Sequence, residues 1–195
     1  MQLFKTGILV FTLLATELTF ASAEKIVESF HRALISAMKA ETGEKRESIV
    51  EEAIKSHFNV YTIARISLGR NWRALETEDQ EKYISLMQEL ISTTYSSRFN
   101  NYDGQFFTVT KSTPIGNNRS RVNTTLTTKS EIVNLDYQLQ FSKENWRVYD
   151  IVANGVSDLS LKRSNYTSLF ADGGLEAVTA DIRASIKKNQ EESSG

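Results

Sequence analysis

The chain has 195 residues, a formal net charge of −1 and no cysteine. This balance argues against a nucleic-acid-binding protein, whose affinity depends on clustered Lys and Arg, and it provides no polybasic patch for a membrane surface. The lack of cysteine excludes a disulfide framework, a thiol nucleophile and a thiolate metal site.

The first 23 residues have the three-part layout of a secretory signal peptide. Lys5 supplies the positive start, the run 7–15 is almost entirely apolar, and Ala21-Ser22-Ala23 has the small-x-small form that a signal peptidase accepts. The apolar run is too short to span a bilayer. The alternative is a buried N-terminal helix. We expect residues 1–23 to be removed as a signal peptide.

Helical periodicity predicts four helices in the next part of the chain. They are expected over about 24–40, 45–57, 59–69 and 77–99. Asn59 is the expected N-cap of the third helix and Gly69 its stop. Thr77 followed by Gln80 has the pattern of a capping box at the start of the fourth.

From residue 105 to residue 153 the apolar residues recur with a period of two, which predicts strands. The alternation is strongest in the third strand, over 133–141, and a loop is expected at 114–118. Two more helices are expected over about 159–170 and 175–188. The predicted fold class is α+β, a twisted antiparallel sheet of about four strands packed with several helices. We expect one domain over 24–188 and a disordered polar tail over 189–195.

Few residues suggest chemistry. His31, expected on the polar side of its helix, and His57 have no partners at metal-binding spacing, so no metal site is predicted. Asp150 shares strand parity with Trp146 and Val148, which places it towards the interior. A buried carboxylate is either paired structurally or has a shifted pKa. We favour a structural Asp150 over a general base in the cone-shaped pocket of an exported enzyme.

The strands and helices also have wide apolar faces. Composition alone does not distinguish a filled core from a lined cavity, so both interpretations remain open on these patterns.

Two segments carry a family resemblance. The first comprises Phe58-Asn59, Ala64-Arg65 and Leu68-Gly69-Arg70-Asn71-Trp72, followed by Thr77-Glu78-Asp79-Gln80 and by Tyr95, Phe99 and Tyr102. The second comprises Trp146-Arg147-Val148-Tyr149-Asp150-Ile151 and Asn154-Gly155-Val156-Ser157. In this order, over about 24–188, the chain resembles the MlaC family. These are the periplasmic substrate-binding components of a lipid ABC transport system, also known as toluene-tolerance auxiliary proteins.

The resemblance implies a soluble periplasmic carrier that holds a phospholipid in an apolar cavity and shuttles it between inner- and outer-membrane complexes, which maintains outer-membrane lipid asymmetry. The implied partners are membrane-anchored components of a lipid ABC transporter and an outer-membrane lipoprotein complex. No catalytic residue, metal or cofactor is implied, and a monomer is expected. Lys162 stands where many members carry an aromatic residue. This departure suggests a different subgroup and leaves open another cargo, such as a hopanoid.

Strand parity, read with this resemblance, assigns a candidate cavity lining. Its members are Leu68, Val122, Leu126, Val133, Leu135, Tyr137, Leu139 and Val148. Asp150 belongs to the second segment, and the family-like pattern of the next helix, which departs at Lys162, keeps Arg163, Ser164 and Tyr166. Arg163 is therefore the candidate ion-pair partner of Asp150.

Overall fold

The computed structural model describes residues 11–194, and side chains from residue 23 to residue 193. Within this range the chain forms, in order, α1 (Phe11–Met38), α2 (Gly43–His57), α3 (Val60–Leu68), a 3-10 helix (Gly69–Ala74), α4 (Thr77–Arg98), β1 (Phe106–Gly116), β2 (Arg119–Thr127), β3 (Ile132–Ser142), β4 (Asn145–Ala153), β5 (Val156–Ser157) and α5 (Asp158–Ser194). The predicted α+β class is confirmed. Residues 1–10 of the expected signal peptide lie outside the described residues, and its cleavage stays a prediction.

Local capping explains where α3 lies, as the sequence predicts. The Asn59 side-chain oxygen accepts a hydrogen bond from the backbone N–H of Thr62 at 3.0 Å. Gly69 ends the helix with a φ of 58°, in the left-handed region that favours glycine.

The predicted capping box of α4 is wrong. Glu76 is the N-cap residue and its side chain makes no capping hydrogen bond. Thr77 already belongs to the helix. The Gln80 amide instead donates to the carbonyl oxygens of Trp72 and Leu75, both at 3.2 Å. Gln80 therefore ties α4 to the preceding 3-10 helix.

The sheet is antiparallel throughout, and its strands are neighbours in chain order from β1 to β5. β1 continues through the loop expected at 114–118 as far as Gly116, with Pro114 paired opposite Ser120. Proline is tolerated here because β1 is an edge strand. The reversal is made by Asn117 and Asn118 alone, and Asn118 has a φ of 56°.

A β-bulge in β4 changes which side chains face the helices. Leu139 pairs with Val148, but its neighbour Gln138 pairs with Asp150, so Tyr149 is an extra residue. Beyond the bulge Ile151, opposite Tyr137, continues the inner face of the sheet. The expected strand parity of Asp150 with Val148 is therefore wrong.

The last helix is longer than expected and kinked. Gly173 and Gly174 interrupt it. Gly174, with φ 65° and ψ −157°, has a backbone conformation that favours glycine over other residues. The helix then runs through Ser194, so the disordered tail expected over 189–195 is corrected as far as residue 194. The Arg46 guanidinium donates to the Ser193 carbonyl oxygen at 2.7 Å, which fixes this end to α2.

The core lies between the inner face of the sheet and the helices. Phe30 of α1 is fully buried at its centre, with ring centroids 5.0 Å from Phe58 and 5.2 Å from Tyr95. Trp72 and Trp146 are buried, as the sequence predicts. In the part of the chain that the structure describes, no helix has the length and apolar character needed to cross a membrane.

Candidate functional site

A cavity of about 320 Å³ lies where the sheet, α4 and the start of α5 meet. Its wall is mostly apolar, and its volume falls at the lower end of the range, about 300–1,000 Å³, found for small-molecule sites. The apolar and aromatic lining residues are Phe58, Ile63, Ile91, Tyr95, Phe99, Leu126, Val133, Leu135, Tyr137, Tyr149, Ile151, Ala153 and Leu159. The polar ones are Thr94, Arg98, Asp150, Asp158 and Lys162.

The strand register places one wall of this cavity. Leu126 pairs with Val133, and Leu135 pairs with Ala153, so these side chains share the inner face of β2, β3 and β4. The bulge at Tyr149 is what brings Ile151 onto the same face. The sheet therefore contributes a continuous apolar surface at the end where β3 begins.

α4 supplies the facing wall. Ile91 and Tyr95 lie one turn apart on one side of the helix, and Phe99, its C-cap residue, continues the same spacing of four. The rings of Tyr95 and Phe99 stack, with centroids 5.7 Å apart and planes 9° apart. The amphipathic pattern of this segment is visible in the sequence, but the cavity assignment made from strand parity did not include it.

Four of the eight candidate lining residues border the cavity, and four do not. Leu126, Val133, Leu135 and Tyr137 line it. The structure instead places Leu68, Val122, Leu139 and Val148 in the packed core, each at most 1 % exposed. The Val148 carbonyl oxygen accepts from the Asn59 N–H at 2.7 Å, so the link between α2 and α3 covers that part of the sheet. Lipid contact by the four cavity residues stays a prediction.

Asp150 is held by hydrogen bonds. Its Oδ2 accepts from the Ser157 hydroxyl at 2.8 Å and from the Gln138 amide at 3.3 Å. Its Oδ1 accepts from the Leu159 N–H at 3.3 Å. Burial raises the pKa of Asp150, and the bonds from Ser157 and Leu159 oppose that rise. These contacts connect β4 to the start of α5.

The expected ion pair between Asp150 and Arg163 is not formed among the described residues. Arg163 lies instead beside Gly69, where its Nε would be 3.4 Å from a Cβ added to that glycine. The two motifs that suggested the pairing therefore meet different neighbours: Arg163 packs on the end of α3, and Asp150 holds the start of α5.

The structure shows no metal-binding group of side chains in the part that it describes: no three His, Asp or Glu residues between 11 and 194 lie close enough together to hold an ion. The fold and its apolar cavity thus define a binding protein for an apolar or amphipathic ligand.

The chain belongs to the MlaC family, since its residues 28–184 match the family model described as MlaC protein. Membership of this family makes it a binding protein and not an enzyme, as the sequence predicts.

The chain is also similar to two known proteins, one in sequence and one in fold. The chain is 22% identical over 146 residues to the intermembrane phospholipid transport system binding protein MlaC of Haemophilus influenzae, covering 72% of this chain and 68% of that protein. Its fold is similar to the solved structure of a phospholipid-binding protein from Ralstonia solanacearum in complex with a phospholipid. That match has a TM-score of 0.77 and 18% identity, and it covers 87% of this chain and 99% of the other.

Proposed function

We propose that this protein is a periplasmic carrier that encloses the acyl chains of a phospholipid in the cavity between β2–β4 and α4, and shuttles the lipid between inner- and outer-membrane complexes. The observation that carries the proposal is the apolar wall of Leu126, Val133 and Leu135, which lines one cavity together with Ile91 and Phe99. The phospholipid in the Ralstonia structure supports the choice of ligand class.

The physical need for a carrier follows from hydrophobic transfer. Each CH₂ group of an acyl chain gains about 0.8 kcal/mol when it leaves water for an apolar site. A phospholipid therefore leaves a bilayer for water very slowly. A protein cavity that takes up the acyl chains removes most of the free-energy cost of exposing them to water. The same chemistry would accept another amphipathic lipid, such as a hopanoid, so the cargo must be identified directly.

The partners are part of the proposal. We expect transient docking to membrane-anchored components of a lipid ABC transporter on one side and to an outer-membrane lipoprotein complex on the other. The name of the Haemophilus relative, which places it in an intermembrane phospholipid transport system, supports this role. Small contact areas would suit it, because a shuttle must release each partner quickly.

The experiment is to extract the purified protein with organic solvent and to identify the extract by mass spectrometry. A stoichiometric phospholipid is the expected result. A stoichiometric hopanoid would change the cargo but keep the carrier. Protein that remains empty after expression in a lipid-rich host, and after incubation with phospholipid vesicles, would contradict the proposal.

A further inference from the structure

The mouth of the cavity carries polar groups whose hydrogen-bonding capacity is unused. Arg98, in the last turn of α4, lines the cavity, and its side chain is exposed. Among the side chains between residues 23 and 193, its guanidinium has no hydrogen-bond or ion-pair partner. Most exposed arginines extend into open solvent, but this one is located where an apolar cavity meets water.

Tyr95 lies one turn before Arg98 and on the same side of α4. Its ring belongs to the cavity wall, and its hydroxyl makes no hydrogen bond within the described part of the chain. Burial raises the pKa of Tyr95; the Asp158 carboxylate adds to the rise and the Arg98 guanidinium opposes it. Both charges therefore act on this hydroxyl, which is a neutral donor with no acceptor.

A second cation reaches the mouth from α5. Lys162 lines the same cavity, and its Nζ lies 3.2 Å from Oδ1 of Asp158, one turn earlier in the helix. Its side chain is only 23% exposed. Asp158, which also lines the cavity, thus holds the ammonium group beside it at the start of α5. Arg98, the Lys162–Asp158 pair and the Tyr95 hydroxyl thus lie among the polar groups of a mostly apolar lining, and Arg98 is the cation among them without a carboxylate partner in the described part of the chain.

Resting on the proposed function, we propose that Arg98, Tyr95 and Lys162 form a subsite for the phosphodiester of the lipid headgroup. A guanidinium can donate two parallel hydrogen bonds to phosphate oxygens, and a tyrosine hydroxyl can donate a third. The acyl chains then extend from this point along Leu126 and Leu135. The groups beyond the phosphate stay in water, so the subsite recognises the phosphate and not the alcohol attached to it.

The sequence gives little sign of this subsite because its cations are far apart in the chain. Arg98 and Lys162 belong to different helices; Arg98 has no basic neighbour, and Lys162 is followed by Arg163 alone. A search for clustered Lys and Arg does not detect such a pair. The fold brings them together because the end of α4 and the start of α5 meet at the same end of the sheet.

The test compares two lipids with identical acyl chains, phosphatidylethanolamine and diacylglycerol, mixed equally in vesicles. Purified protein freed of lipid is incubated with them, recovered and extracted, and the ratio of the two bound lipids is measured. Wild-type protein should be enriched in the phospholipid. Arg98→Met keeps an apolar stem of similar length and should reduce the enrichment by roughly three- to tenfold, since a charge-assisted hydrogen bond at a partly exposed site is worth less than a buried one.

Arg183→Met is the matched control, because Arg183 is an exposed arginine of α5 that does not line the cavity. It should leave the ratio at the wild-type value. Arg98→Lys, which keeps the charge but loses the planar fork, should retain part of the enrichment. ³¹P NMR of the protein with inorganic phosphate alone distinguishes a lipid subsite, which needs the acyl chains, from a general phosphate site.

The outcomes separate the two proposals. If wild-type protein takes up both lipids without preference, or if Arg98→Met keeps the full enrichment, the headgroup subsite is wrong and the carrier stands. If inorganic phosphate alone binds as well as the lipid, the subsite is not one for a lipid. If wild-type protein takes up neither lipid, the carrier itself is contradicted.

Discussion

The Nε2 atom of His31 on α1 lies 3.0 Å from the hydroxyl oxygen of Tyr137 on β3, and this hydrogen bond joins the helical layer to the sheet. The imidazole also stacks on Phe107, with ring centroids 4.1 Å apart. His31 is 6% exposed, so the expectation that it lies on the polar side of its helix is wrong. A helix that is covered by β1 as well as by α2 buries more than one stripe of its surface.

Burial lowers the pKa of His31 from 6.5 to about 4, because the apolar surroundings disfavour the imidazolium. Between these two values the unfolded chain binds a proton that the folded chain does not, so stability falls as the pH falls. We expect the free energy of unfolding to be about 2 kcal/mol lower at pH 5 than at pH 7.5 from this group. Urea denaturation at both pH values measures it.

His31→Gln should remove most of that pH dependence. His57→Gln is the matched control, since it removes the other histidine and leaves the bond between His31 and Tyr137 in place. An equal loss of pH dependence in both variants would contradict the assignment to His31.

Leu135→Trp tests the cavity wall. Leu135 borders the cavity, whereas Leu139, four residues further along the same face of β3, is fully buried in the packed core. The larger side chain at 135 should occupy lipid volume, reducing co-purifying lipid more than it lowers Tm. The same change at Leu139 should overpack the core, at a cost of about 3 kcal/mol, and lower Tm by roughly 6–12 °C. Unchanged lipid in a folded Leu135→Trp protein would show that this face does not hold the ligand.

Asp150→Asn tests the connection between β4 and α5. The carboxylate accepts three hydrogen bonds, and an amide offers its oxygen to some of these donors but places an NH₂ against the rest. We expect a loss of about 1–3 kcal/mol in unfolding free energy. This is less than the penalty for breaking a buried ion pair, about 3–5 kcal/mol.

A double-mutant cycle of Asp150→Asn and Arg163→Met tests whether the two side chains interact. Since the two side chains have different neighbours, the effects of Asp150→Asn and Arg163→Met should add. A coupling energy above about 1 kcal/mol would instead support the ion pair that the sequence motifs suggested.

Removal of residues 189–195 should destabilise the protein. Arg46 is a buried arginine whose Nη2 donates to Ser193 and whose Nη1 donates to the Asn100 carbonyl oxygen at 3.1 Å. The truncation leaves part of this guanidinium without an acceptor, at a cost of about 1–3 kcal/mol. The measurement is the Tm of the truncated protein, with and without the Arg46→Met substitution. A disordered tail would give no change in Tm.

Delivery to membranes should depend on partners. We expect lipid transfer from the protein to pure phospholipid vesicles to be slow, and to become faster when the vesicles contain the membrane components of the transport system. The net charge of −1 gives no general attraction to anionic lipid. A fluorescent phospholipid reports the transfer rate. Rapid transfer to bare vesicles that the partners do not accelerate would contradict docking.

The sequence predicts the order of helices and strands well because each element carries a strong local signal, such as the Asn59 cap and the alternation of 133–141. It does not predict the bulge at Tyr149, since one extra residue in a strand changes no local propensity. Because of that extra residue, Ile151 and not Asp150 continues the inner face of the sheet. The division between cavity and packed core likewise depends on which helix covers each part of the sheet, a tertiary property that periodicity does not contain.

The two edges of the sheet have a consequence for assembly. β5 is only two residues long, and β1 carries Pro114 and a register shift at Thr110. A long, straight edge would let a second copy add its own strand, the route by which exposed sheets aggregate. β5 covers only Val152 and Ala153, but the rest of β4 is interrupted by the bulge at Tyr149 and by the bridge between Val148 and Phe58. In the described part of the chain, neither edge is therefore a long, regular template. The apolar surface proposed to hold the cargo therefore lies on a face of the sheet, away from strand edges through which copies of the protein could pair.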